Sequence, residues 1–167
     1  LLRAFRAAHA ITIEAWLRPA NTTQGGPSRI VTFSRGPSVR NFTLGQEGAN
    51  YIVRLRTTER DANGEPLVPT RGGVAQALTH AVYTRNADGK VNLYLNGQFN
   101  AMATVPGDFS NWAPFPFGLA NEFDATRTWL GQLHLVALYA RALTAEEVEQ
   151  NWKAGPEGKT PRPDGAE

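Results

Sequence analysis

The stretch "WLGQLHLVALYARALTAEE", Trp129 to Glu147, joins an alternating apolar segment directly to the start of a helix. Apolar residues that alternate with a period of two predict a strand with two different faces. One face carries Gln132, His134, Val136 and Leu138. Because polar groups on an apolar strand face usually find hydrogen-bond partners there, the pattern predicts that Gln132 and His134 are buried parts of the scaffold, not an active site.

The residues after this strand carry a strong helix-start signal. Thr144 and Glu147 form a T-x-x-E capping box, in which each side chain bonds to the backbone amide of the other residue. Leu143 and Val148 stand at the positions of a hydrophobic staple. The helix is therefore predicted to run to about Lys153, and a Gly-Pro pair shortly afterwards ends it.

Upstream of this stretch, short alternating runs between glycines and prolines are typical of an all-β sandwich. Strands are predicted over residues 10–19, 28–36, 39–46 and 51–59, followed by a three-stranded meander over residues 79–105 with Asp-Gly and Asn-Gly at its turns. In the fourth strand, Tyr51, Val53 and Leu55 are predicted to face the core. Arg54 and Arg56 then point together to the opposite side.

Three segments are predicted to be loops or linkers. Residues 61–73 hold two prolines and three glycines and are predicted to form a long loop. Residues 106–118, "PGDFSNWAPFPFG", are aromatic and proline-rich, and are predicted to form a loop at the rim. Residues 1–155 are predicted to be one domain, and residues 156–167 a linker or tail toward a further domain.

The composition excludes several functional classes. The chain has 167 residues, of which 41% are hydrophobic and 19% charged, as in an ordinary globular domain. A net charge of +2 without a run of Lys or Arg does not support nucleic-acid binding. The absence of cysteine excludes disulfides and thiolate metal sites. No stretch reaches the ~20 apolar residues of a transmembrane helix, so no membrane insertion is expected.

Three patches of the sequence resemble a known family. They are "AITIEAWLRP" (residues 10–19), "LTHAVYTRNADGKVNLYLNG" (78–97) and "WLGQLHLVALYARALTAEEV" (129–148). Taken in this order, they resemble a laminin-G-like domain of the concanavalin A-like lectin/glucanase superfamily. The resemblance implies an all-β fold, a two-sheet antiparallel jelly-roll sandwich with one short C-terminal helix.

The sequence departs from the family pattern at two places. His134 stands where the closing strand of the family has an acidic residue. The usual N-terminal strand is reduced to "LLRAFRAA", so that one edge of the sandwich is expected to be atypical.

The resemblance raises the question of a glucanase. Jelly-roll glucanases carry E-x-D-x-x-E, whose two outer carboxylates act as nucleophile and acid. The nearest segment here is "EFDATR", with Glu122, Asp124 and Arg127. Because a cation replaces the last carboxylate, the acid/base partner is missing, and the prediction is that the domain is not an enzyme of this type.

A polysaccharide lyase is the alternative to a non-catalytic binding module. Jelly-roll alginate lyases combine a Q-[IV]-H strand, an arginine-bearing strand and a late tyrosine. Arg54, Gln132, His134 and Tyr139 are a partial match to this set. The Y-x-K-x-G-x-Y strand of those lyases is absent, which leaves the lyase as the second hypothesis.

Calcium is the one cofactor that the resemblance suggests. Many laminin-G-like domains hold Ca²⁺ on the loop rim with side-chain and backbone oxygens, the ligands that this cation prefers. The oxygens available here belong to Asp108, Asn111, Asn121, Glu122 and Asp124. No D-x-D-x-D spacing marks them, and Asp and Asn also cap turns.

The favoured ligand is a glycan, which would stack on aromatic rings and bond to a few polar groups. The candidate residues are Trp112, Phe115 and Trp129 near loops and Arg54 and Arg56 on one sheet face. The arginine pair would suit an acidic sugar or a protein carboxylate. The surface would be the concave sheet face or the rim near residues 108–127.

The functional hypothesis is a non-catalytic carbohydrate-binding or adhesion module. It is expected to belong to a longer, bacterial protein that is exported to the periplasm, the cell surface or the medium. Its partners would be a glycan or protein ligand and the neighbouring domains of the same chain. A second alternative is a structural protein-interaction domain that packs through Leu133, Leu135 and Ala137.

Overall fold

The computed structural model describes residues 1–158, and ten strands in this range form two antiparallel sheets. The strands are β1 Ile11–Pro19, β2 Ser28–Gly36, β3 Val39–Glu47, β4 Asn50–Leu55, β5 Val68–Gly73, β6 Thr79–Arg85, β7 Lys90–Leu95, β8 Gln98–Thr104, β9 Phe117–Leu119 and β10 Gly131–Tyr139; the helices are α1 Leu2–Ala8 and α2 Ala145–Ala154. The first sheet has the order β10-β1-β6-β7-β8, and the second has the order β5-β4-β3-β2-β9. Residues 159–167, most of the predicted linker, lie outside the described residues.

The two sheets form the jelly-roll sandwich that the sequence predicts, and their inner faces enclose one core. The alternating positions of β1 and β4 that were predicted to face inward are buried in this core. The hydrophobic effect therefore fixes which face of each strand points inward. Among residues 1–158, no helix is long and apolar enough to cross a membrane.

Two elements differ from the prediction. The N-terminal segment forms α1 and not a shortened strand, because "LRAFRAA" consists of good helix formers and its Phe5 is buried against Trp112. The segment predicted as a loop over residues 61–73 contains β5, an edge strand of the second sheet. Pro69 is tolerated there because an edge strand needs fewer backbone donors, and the Thr70 hydroxyl accepts the Tyr51 amide at 2.9 Å.

The capping box that opens α2 is confirmed. The Thr144 hydroxyl accepts the Glu147 amide at 3.3 Å, and the Glu147 carboxylate accepts the Thr144 amide at 2.9 Å. Leu143 and Val148 are buried in one cluster with Tyr94 and a valine of β6, which confirms the staple. The helix thereby packs on the outer face of the first sheet.

The predicted burial of Gln132 and His134 is wrong, because both side chains are exposed. Val136 and Leu138 pair with core positions of β1 as expected. A register shift between Trp16 and Leu17 then interrupts the pairing of β1 with β10. A β-bulge adds one residue to one strand and exchanges the faces beyond it. Leu133 consequently packs against the core, and its two polar neighbours do not.

Candidate ligand-binding site

The outer face of the second sheet is polar. Thr32 on β2 pairs with Thr43 on β3, and Thr43 pairs with Arg54 on β4. These positions alternate with the apolar residues that fill the core. The alternation confirms that Arg54 points away from the core, as the sequence predicts.

Three arginines, Arg29, Arg40 and Arg54, come together on this face, and we call them the arginine cluster. Arg29 Nε donates to Glu122 Oε1 at 2.7 Å, and Arg40 Nη1 lies 3.5 Å from the same oxygen. The second carboxylate oxygen of Glu122 accepts the Ser34 hydroxyl at 2.6 Å. The side chains of Arg29, Arg40 and Glu122 are almost completely buried, so this part of the cluster is a closed ion network.

Asn63 connects the buried arginines to Arg54. Its Oδ1 atom accepts from Arg40 Nε at 3.1 Å, from Arg40 Nη2 at 2.7 Å and from Arg54 Nη1 at 3.3 Å. Burial, together with the charge of Arg29, lowers the pKa of Arg40 to about 10. Two guanidinium groups thus share one amide oxygen.

Arg54 forms the open end of the cluster. Its side chain is 14% exposed, and its Nη2 atom lies 2.7 Å from Glu65 Oε1, whose side chain is 36% exposed. Arg54 Nε is buried without a hydrogen-bond partner. Three guanidinium groups therefore face two carboxylates, those of Glu122 and Glu65, and positive charge is in excess. Such a site suits an anion.

A comparison with family models identifies the fold family. The laminin G model of the concanavalin A-like lectin/glucanases superfamily matches residues 3–149. The chain belongs to this superfamily. A comparison with curated proteins gives no match.

Solved structures share the fold of this laminin-G-like domain at low sequence identity. The CBM40 of the Ruminococcus gnavus IT-sialidase, bound to α2,3-sialyllactose, is 15% identical with a TM-score of 0.67, over 88% of this chain and 84% of that one. The heptameric SAP-like pentraxin of Limulus polyphemus is 14% identical with a TM-score of 0.62, over 86% and 69%. Botulinum neurotoxin type C, whose cell entry depends on two ganglioside molecules, is 14% identical with a TM-score of 0.60, over 87% and 35%.

The aromatic residues predicted to contact a glycan are parts of the scaffold of the laminin-G-like domain. Trp112 and Trp129 are each 3% exposed and belong to the core, and Phe115 packs against it. The indole of Trp112 donates to the carbonyl of Arg56 at 2.7 Å, and that of Trp129 donates to Gln46 at 2.9 Å. The two tryptophans are therefore not open to a sugar ring. The prediction missed the burial of Trp112 because the proline-rich segment that carries it folds back into the core.

The side chains proposed for calcium are engaged in other contacts. Glu122 is bound by arginines, as described above. Asp108 and Asp124 each accept two hydrogen bonds from the residue two positions later, and these bonds lower their pKa values. Asn121 accepts two backbone amides. Asn111 donates its Nδ2 amide to a carbonyl, whereas its Oδ1 atom is buried without a hydrogen-bond partner. Among the described residues, no three His, Asp or Glu side chains form a group that could hold a metal ion.

The residues of the lyase hypothesis do not meet. Gln132 and His134 lie on β10 of the first sheet, whereas Arg54 lies on the outer face of the second sheet. The Tyr139 hydroxyl donates to Glu14 on the outer face of the first sheet at 2.9 Å. The core separates these groups, so the four side chains cannot act on one sugar unit.

A buried polar network that the sequence did not reveal lies under α2. Glu14 Oε1 lies 2.7 Å from His80 Nε2, and Glu14 Oε2 accepts from Tyr139 at 2.9 Å and from Asn151 at 3.0 Å. Trp16 stacks on the imidazole with the ring centroids 4.7 Å apart. The network joins β1, β6, β10 and α2. It therefore holds the helix on the first sheet.

The carboxylate at the centre of this network makes stability dependent on pH. Burial raises the pKa of Glu14, but hydrogen bonds from His80 and Tyr139, the charge of His80 and the bond from Asn151 outweigh it and hold the pKa below the ordinary value of 4.5. A group with a lowered folded-state pKa contributes stability above its unfolded-state pKa. That contribution is lost as the pH falls through the folded-state value.

The variant Glu14→Gln should therefore be less stable than the wild type by about 1.5–3 kcal/mol at pH 7, the value of a hydrogen bond to a charged group. The difference should shrink as the pH falls below 4.5, because the wild-type carboxyl then becomes neutral too. Urea unfolding at pH 7, 5, 4 and 3 measures it. A difference that stays constant from pH 7 to pH 3 would contradict the assignment.

Proposed function

We propose that this domain is a non-catalytic module that binds an acidic glycan at the open end of the arginine cluster. The observation that carries the proposal is Arg54, a partly exposed guanidinium with an unpartnered Nε in a cluster with excess positive charge. A guanidinium binds a carboxylate through two parallel hydrogen bonds, which are stronger than neutral ones. Arg56, a second half-buried arginine, follows two positions after Arg54, just beyond β4.

The structural neighbours support the choice of ligand. The Ruminococcus gnavus module is bound to α2,3-sialyllactose, a sugar that carries a carboxylate, and the botulinum toxin interacts with gangliosides. These are properties of those proteins, and they make a sialylated glycan the first ligand to test. In the proposed setting, a longer exported bacterial protein, the module would hold neighbouring domains close to a glycan.

The proposal predicts that Arg54→Gln weakens binding of α2,3-sialyllactose at least tenfold, because the lost charge-assisted bonds contribute about 1.5–3 kcal/mol. Titration calorimetry of the purified domain measures this, with and without EDTA. Arg18→Gln is the matched control, since Arg18 is exposed on the first sheet and its loss changes the net charge equally.

Three outcomes would contradict the proposal. The first is equal binding by the wild type and Arg54→Gln. The second is equal binding of lactose, which lacks the carboxylate. The third is binding that disappears in EDTA, which would point instead to a cation on the loops of residues 108–124.

A further inference from the structure

The partner of Arg54 is a carboxylate that belongs to the protein itself. Glu65 uses one oxygen for Arg54 Nη2 at 2.7 Å and the other for the Leu67 amide at 2.8 Å. It does not reach Arg54 Nε, which stays without a partner. A carboxylate that approaches a guanidinium side-on can bond to Nε and Nη2 together. Glu65 therefore gives Arg54 only half of the contacts that a free carboxylate could give.

The backbone beside Glu65 is held in place, although the side chain is partly exposed. Gly64 has a φ of +75° and lies against β4 so closely that a Cβ there would stand 2.6 Å from the Leu55 nitrogen. The amide of Gly64 bonds to the Asp61 carbonyl at 3.0 Å, and the amide of Glu65 bonds to the Asp61 carboxylate at 2.9 Å. Release of Arg54 thus requires rotation of the Glu65 side chain, which also breaks its bond to the Leu67 amide.

We infer that Glu65 is an internal ligand that occupies the binding site and is displaced by the carboxylate of an incoming acidic glycan. This inference rests on the proposed function. In the exchange, the ligand carboxylate bonds to Nε and Nη2 of Arg54, and Glu65 turns into solvent with its charge. No covalent bond changes.

The exchange makes Glu65 a determinant of specificity. A neutral hydroxyl bonds more weakly to a guanidinium than a carboxylate does, so a neutral sugar cannot compete with Glu65 for Arg54. A ligand carboxylate takes the place of the Glu65 carboxylate on Arg54. It also accepts a hydrogen bond from the buried Nε atom, whose lack of a partner costs free energy. Glu65 consequently restricts the site to acidic ligands.

Glu65→Gln tests this inference. The variant removes the competing charge, and a partly exposed ion pair is weak, so the affinity for α2,3-sialyllactose should rise about two- to fivefold. Glu59→Gln is the matched control, because Glu59 is an exposed acid of the same connection and its loss changes the net charge equally. The Glu59→Gln affinity should equal that of the wild type.

A second measurement follows Arg54 directly. Sodium acetate, titrated at constant ionic strength against sodium chloride, is the probe, and the Nε–H resonance of Arg54 in a ¹H–¹⁵N spectrum is the readout. Acetate should shift this resonance at lower concentration in Glu65→Gln than in the wild type or in Glu59→Gln. Equal shifts in all three proteins would overturn the inference.

The two measurements distinguish the two proposals. If sialyllactose binds the wild type and Glu65→Gln equally, the internal-ligand inference is wrong and the proposed function stands. If sialyllactose binds neither protein but acetate shifts Arg54 Nε–H more readily in Glu65→Gln, the exchange at Arg54 is supported and the glycan function is wrong. If neither ligand has an effect, both proposals are overturned.

Discussion

Glu122→Ala is expected to lower the free energy of unfolding by about 3–5 kcal/mol, the cost of removing one partner of a buried ion pair. The substitution leaves Arg29 and Arg40 buried without their carboxylate. It also removes the acceptor of the Ser34 hydroxyl. Urea unfolding at pH 7, followed by circular dichroism, measures the loss.

Glu59→Ala is the control for this prediction, because Glu59 is exposed and its replacement should change stability by less than about 0.5 kcal/mol. A loss below about 1 kcal/mol in Glu122→Ala would mean that water or another group replaces the carboxylate. The ion network would then not be the element that fixes the outer face of the second sheet.

Trp112→Ala is expected to lower the free energy of unfolding by a similar amount, about 3–5 kcal/mol, the range for removal of a large aromatic side chain from a core. The indole stacks on Phe109 with the ring centroids 4.2 Å apart and also contacts Phe5, Phe33 and Phe42. Trp112→Phe keeps a ring in this cluster, so its loss should be clearly smaller. Phe99→Ala, at an exposed position, should be close to neutral.

The same variants separate a scaffold role of Trp112 from a role in sugar binding. Trp112→Phe, assayed below its unfolding temperature, should bind α2,3-sialyllactose with the affinity of the wild type. A tenfold loss of affinity in a folded Trp112→Phe protein would indicate that Trp112 takes part in sugar binding after all. It would also weaken the assignment of binding to Arg54.

Local patterns in the sequence predicted most of the strands and α2. Alternation of apolar residues placed β1 to β4, the turn dipeptides placed the meander, and the pair Thr144 and Glu147 placed the helix start. Each of these signals lies within a few neighbouring residues, so it can be recognised without the fold. No helix was predicted at "LRAFRAA", although most of its residues are good helix formers and it forms α1.

Other features depended on tertiary contacts. The bulge between Trp16 and Leu17 arises from the pairing of two strands that are far apart in the chain, and it reverses the faces on which Gln132 and His134 lie. Trp112 and Trp129 follow loop residues, and only the fold shows that they turn into the core. Local alternation does not report these contacts.

The sequence by itself determined that the chain is an all-β sandwich and that Arg54 faces away from its core, because both follow from the period of the strands. Only the tertiary structure decided the surroundings of that arginine. Glu122 meets Arg29 across 93 positions of the chain, and Glu65 and Asn63 reach Arg54 from a connection that the sequence describes only as a loop. Charge pairing acts through space, and its partners are chosen by the packing of the strands that carry them.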